Sequence, residues 1–280
     1  MKIEILQIFK ESFKDVCAHK LEWMRVAYAP FTVWFISFLF MTLVYWSEGQ
    51  SMWSQWASMN QPQQATQSTE PSFMMILANI IYYFAYLIAV VSVYINGFRY
   101  ALLQEGGERW WTLNLNWRFV KMILYYILIA LLAGIYIAVS IGIVVGAQAF
   151  IGSVALTVIL GILLGLFGIY LMLRLALTFV LISIDRNNPL KTSWNLLKGN
   201  VLRLFGLVLL IGGAILLIGL AGALVLGILG WLLALISPWL AGIALLLFLG
   251  FGILMWLLNW AVISKSMALV YKTFTEGKAF

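Results

Sequence analysis

One cysteine, Cys17, and one histidine, His19, are present among 280 residues. That pair alone builds neither a disulfide framework nor a zinc site, so no metal or cofactor is expected. Charge is scarce as well. Only 10% of the residues are Asp, Glu, Lys or Arg, against about 25% in soluble domains. So few charges cannot cover a water-facing surface. With 64% hydrophobic residues and a mean hydropathy of +1.01, the solvent must be largely lipid. None of the long apolar runs contains Asp or Glu, which argues against a proton or sodium relay built on carboxylates. The first 23 residues mix both charge signs and lack a continuous apolar stretch with a small-residue cleavage site. They are therefore not expected to act as a secretory signal peptide.

What is present is apolar runs separated by short polar corners. The spacing predicts six spans, at about 28–46, 73–103, 117–145, 149–184, 204–236 and 239–263. Pro30 is tolerated in the first turn of the first span. A short turn near 146–148 is expected between spans three and four, and Ser237-Pro238 between five and six. The polar stretch 47–72 reads as a loop with two aromatic anchors, Trp53 and Trp56. The expected fold is all-α and integral to the membrane: six transmembrane helices in three hairpins, with amphipathic helices on the cytoplasmic side. All of 1–280 forms one transmembrane domain.

The formal net charge is +7, yet the basic residues do not gather on one hydrophilic module. All 17 Lys and Arg lie in the N-terminal segment, the C-terminal tail, or the corners after spans two and four with their flanking span ends. None lies in the loops after spans one, three and five. This pattern speaks for membrane topology and anionic lipid partners and against a nucleic-acid groove. It predicts both termini on the cytoplasmic side of a bacterial inner membrane.

Amphipathic or aromatic-rich segments precede the ascending spans at 3–24, 110–119 and 189–198. In the first, Ile5, Phe9, Phe13, Val16 and Cys17 form an apolar stripe opposite Lys10, Glu11, Lys14 and Asp15. In the third, Asn188 can cap, Pro189 suits the first position and Gly199 ends the helix. Leu190, Trp194 and Leu197 are its expected apolar face.

The descending spans share a second detail. Arg99 lies 26 residues after Phe73, Arg174 lies 25 after Ala149, and Lys265 lies 26 after Trp239. Each cation is thus about 37–39 Å along its helix, beyond a hydrocarbon core of about 30 Å. Each is followed by an Ala-Leu pair: Ala101-Leu102, Ala176-Leu177 and Ala268-Leu269. The chain can be read as three units, 1–105, 106–187 and 188–280, in a threefold internal repeat. Similar bilayer depth alone explains the cations but not the Ala-Leu pairs.

Around Arg174, Asp185-Arg186-Asn187-Asn188-Pro189-Leu190, Ser193-Trp194, Lys198-Gly199-Asn200 and Arg203-Leu204-Phe205, the chain resembles a broad group of bacterial inner-membrane proteins. The group includes the YciC-like proteins and the membrane domain fused to some glycerophosphodiester phosphodiesterases. Phe98-Arg99-Tyr100-Ala101-Leu102-Leu103 with Gly106-Gly107 gives a weaker echo. The resemblance implies six spans and an envelope or lipid-related setting. It implies no activity, since the chain carries no phosphodiesterase catalytic domain.

Candidate lipid- or phosphate-binding residues are Arg99, Arg174, Arg186, Lys191, Lys198, Arg203 and Lys265. Arg174 can instead snorkel to the membrane surface. Asp185-Arg186 reads as a local ion pair or cap, and an acid–base pair of Asp185 with His19 can be drawn, although nothing in sequence brings them together. Asn79, Asn96 and Asn259 are intramembrane amides that bridge helices or line a pathway. Glycines at 161, 165, 168, 213, 219, 222, 227 and 230 permit close helix contact, or act as hinges. No nucleophile–base pair is apparent, so no catalytic residue is expected. The leading reading is a non-catalytic protein that binds lipid, a protein partner or its own copies at the cytoplasmic face, in envelope homeostasis. The alternative is a transporter or channel for a small apolar or zwitterionic molecule.

Overall fold

The computed structural model describes residues 2–47 and 72–277. The 47–72 loop with its two tryptophans lies almost wholly outside the described residues. Nine helices are described: α1 (Ile5–Ala18), α2 (Lys20–Ser47), α3 (Phe73–Leu103), α4 (Trp117–Ile151), α5 (Val154–Arg174), α6 (Thr178–Ser183), α7 (Pro189–Leu196), α8 (Val201–Ile236) and α9 (Pro238–Thr275). Among the described residues there is no strand. Six apolar stretches are long enough to cross a bilayer, and the chain is an all-α multi-pass membrane protein. Helices α2 and α3, α4 and α5, and α8 and α9 pair as antiparallel hairpins. The backbone reason is general: in hydrocarbon every N–H and C=O must be satisfied within its own helix.

Several boundaries differ from the sequence reading. The turn between α4 and α5 falls at Gly152 (φ 69°), not near 146–148. Gly146 alone costs a membrane helix only about 1 kcal/mol, whereas Gly152 supplies the left-handed C-cap that ends it. The aromatic-rich segment before α4 is irregular through Leu115, and α4 starts at Trp117 as expected. The last span continues unbroken to Thr275.

The expected span 149–184 is broken at 175–177. Ser193 Oγ donates to Arg174 O at 2.9 Å. That carbonyl would otherwise accept from the Thr178 amide, which bonds Leu175 O instead. The tightened turn starts the separate helix α6.

The main core sits at the charged end of the bundle. Ile3, Ile8, Trp23, Leu181, Leu197, Leu204 and Trp260 pack there with many others. The three Ala-Leu pairs all enter it: Ala101, Leu177, Ala268 and Leu269 are buried, and Leu102 and Ala176 pack against them. In α1 the buried line is Ile8, Ser12 and Val16, with Ile5, Phe9 and Phe13 beside it. Cys17, expected on that stripe, is exposed. At the far end of the first hairpin, Asn79 donates to Tyr45 Oη at 2.7 Å over a small core of Met41, Met75 and Ala78. The α4–α5 hairpin is the least buried: only Met122 and Arg174 are buried along it, and Met122 packs with Val91 and Ile95 of α3 and Ile182 of α6.

Contacts at the charged end run in a ring. Helix α3 holds the stretch before α4, with Asn96 Nδ2 donating to Thr112 O at 2.9 Å. Arg174, at the end of α5, holds α7 through Trp194 O at 2.8 Å. Helix α9 holds α1 through Lys265–Asp15 at 2.9 Å and Ser266–Ser12 at 2.8 Å.

Candidate functional site

The corner between α3 and α4 builds a polar cavity. Gln104 (φ 58°) caps α3 in a left-handed conformation, and Gly106 (φ 92°) turns the chain. Gly107 lies so close to the Tyr100 ring that a Cβ would sit 2.8 Å from it. The chain then runs back irregularly to Asn116, whose side chain accepts from the Arg118 amide at 3.1 Å and starts α4.

Asn96 is the bracket that fixes this stretch. It is 4% exposed, donates to Val26 O at 3.1 Å as well as to Thr112 O, and accepts from Asn114 Nδ2. Outside, Tyr28 meets Trp110 edge-on at 5.3 Å, and the Arg25 guanidinium lies 5.3 Å from the same indole.

The cavity is open on one side, with a volume of about 380 Å³, lined by Asn96, Arg99, Glu105, Glu108, Arg109, Thr112, Asn114 and Arg118 among others. That size lies within the range of small-molecule sites. Three guanidinium groups face two carboxylates. Arg99 pairs with Glu105 and donates to Ser183 O at 3.0 Å. Arg118 pairs with Asp185 at 2.5 Å. Among the described residues Arg109 has no ion pair, and Thr112 Oγ1 is buried without a hydrogen-bond partner. The lining contains no histidine, cysteine, serine or lysine, and among the described residues no cluster of acids, His or Cys could hold a metal ion. The arrangement can bind an anion through charge-assisted hydrogen bonds.

The other sequence candidates are placed elsewhere. Arg174 is 8% exposed; its guanidinium stacks 4.0 Å over Trp194 and is committed to the α7 carbonyl. Lys265 is committed to Asp15, and Arg203 donates to Ile3 O at 3.1 Å. Arg186 lines a neighbouring cavity of about 440 Å³ with Asn187, Thr192 and Tyr271. Lys191 and Lys198 are exposed on and after α7. Asn259 is half-buried, with no side-chain hydrogen bond among the described residues.

Three local readings change. Asp185 pairs across 67 residues with Arg118, not with Arg186 or His19; His19 faces Asp15. Asn188 is left-handed (φ 52°) and makes no side-chain cap. Trp194 is the exposed lid over Arg174, while Pro189 and Ser193 are the buried residues of α7. Arg109 and Arg118 were missed in sequence; the signal was their place on either side of the Trp110-Trp111 corner. Of the glycines, Gly168 and Gly222 lie against Tyr136 and Phe251, where a Cβ would come within 2.7 Å and 2.1 Å of the ring.

Comparison with protein-family models, with curated proteins and with solved structures gives no match.

Proposed function

We propose that the protein binds the phosphate-bearing headgroup of an anionic lipid in the Asn96–Arg118 cavity, at the cytoplasmic face of a bacterial inner membrane, without catalysing a reaction. The cavity itself carries the reading: three arginines at the charged end of the bundle, one of them without an ion pair. The confinement of Lys and Arg to that end supports the orientation. The likeness to YciC-like inner-membrane proteins supports a role in envelope homeostasis.

In native mass spectrometry after mild extraction, the protein should retain anionic lipid, and Arg109→Gln should lower retention several-fold; equal retention by both proteins would sink the reading. Orientation has its own test. In a Cys17→Ser background, an impermeant maleimide applied outside spheroplasts should label Ser153→Cys and spare Lys198→Cys. The opposite pattern would reverse the topology.

A transporter for an apolar or zwitterionic molecule is the second reading. It is favoured by an apolar cavity of about 360 Å³ between α2, α3 and α9, lined by Phe31, Trp34, Tyr86 and Trp256 among others. Flux through reconstituted liposomes would support it over simple binding.

A further inference from the structure

A further pocket, sharing no residue with the Asn96–Arg118 cavity, lies where α1 gives way to α2 and both meet α9. Helix α1 stops at Ala18 and α2 starts at Lys20. Between them His19 leaves the helical conformation (φ −109°, ψ 32°), which frees α1 to pack on α9 instead of continuing α2. The space left at this junction is about 400 Å³, lined by Val16, Lys20, Met24, Leu254 and Leu258 among others.

Depth and charge distinguish its two ends. Lys265 marks the charged end of α9, so Leu258 and Leu254 lie about 10 and 16 Å deeper along the helix. Lys20 is the first residue of α2, and Met24 is one turn further in. The pocket therefore runs from a cation at the membrane surface into the hydrocarbon region. Lys20 is exposed and has no ion pair or side-chain hydrogen bond among the described residues. The nearby acids are already engaged: Asp15 by Lys265 and the Trp23 indole, and Glu22 by Tyr100. In the pocket wall, Trp260 is 3% exposed and its indole N–H is buried without an acceptor.

We propose that this pocket is a lipid site that takes one acyl chain of an anionic phospholipid, with the lipid phosphate set against the Lys20 ammonium. The lining between Met24 and Leu254 is apolar and disfavours water as the occupant, and at this depth hydrocarbon is the solvent. The free cation at the mouth selects the headgroup. Bound there, the lipid fills the junction of α1, α2 and α9.

The test uses the full chain in phosphatidylcholine nanodiscs with a trace of photoreactive phosphatidylglycerol or photoreactive phosphatidylcholine. Crosslinked peptides are mapped by mass spectrometry. Crosslinks of the phosphatidylglycerol reagent to 16–24 and 254–261 should exceed those of the phosphatidylcholine reagent several-fold. Lys20→Glu should abolish that preference, while Arg109→Gln should leave it intact, which separates this site from the cavity at α3–α4. Equal yields of the two reagents at these peptides, or a preference that survives Lys20→Glu, would overturn the proposal.

Discussion

Gly97→Leu should sharply lower the temperature at which the detergent-solubilised protein loses its monodisperse peak after heating. Gly97 lies on α3 where it crosses α9, and a Cβ there would sit 2.6 Å from the Trp260 ring and 2.9 Å from Ser264 Oγ. The Trp260 ring cannot yield easily. Trp260 is 3% exposed and is held on its other side by the Trp23 ring, edge-on at 5.6 Å. Overpacking a site of this kind costs about 1–3 kcal/mol and more for a large side chain. Gly134→Leu is the matched control, because nothing lies within 4 Å of its Cβ position; surface changes of that sort stay within about 0.5 kcal/mol. Similar losses in the two variants would show that leucine at any span glycine is harmful and that the α3–α9 crossing is not special.

Arg174→Met should lower stability by about 2 kcal/mol and leave retention of anionic lipid unchanged. The two readouts separate a structural arginine from a ligand-binding one. Methionine keeps much of the volume but loses the bond to Trp194 O and the stacking on Trp194. A hydrogen bond from a charged donor is worth about 1.5–3 kcal/mol. Stacking adds about 0.5–2 kcal/mol, and part of both is offset because desolvation of the cation is no longer required. Lysine should not rescue, since a point charge on a flexible stem reproduces neither the planar stack nor the fork of donors. Loss of lipid with unchanged stability would put Arg174 in the ligand site and overturn its placement under α7.

Six spans and one charged end were legible in sequence because both follow from one-dimensional properties: the length of apolar runs and the positions of Lys and Arg. The break after Arg174 was not legible. No Pro or Gly stands at 175–177; the Arg174 carbonyl is taken instead by the Ser193 hydroxyl of α7. The cavity was half legible. Arg99 was a candidate, but Arg118 pairs with Asp185 only after the chain folds back across 67 residues. Asn96 was read as an intramembrane amide, and it does bridge α3 to α2; its second bond, to Thr112 O, depends on the irregular path of the corner. Arg174 stands out in sequence as a charge in apolar surroundings, and its structural reading there is snorkelling to the membrane surface. The aromatic and backbone partners that accommodate it come from Tyr170 and from a helix twenty residues on.

The partners of α1 carry a consequence for biogenesis. Its segment meets Asn200 and Arg203 through Ile3, Ser266 through Ser12 and Lys265 through Asp15. All of these lie in the last third of the chain. During synthesis, α1 therefore waits for the α8–α9 hairpin before its apolar side is covered. A nascent chain arrested before residue 200 should leave α1 open to protease, and extension through α9 should protect it. Closure of the charged end thus follows synthesis of α9, and it couples insertion of that hairpin to burial of α1.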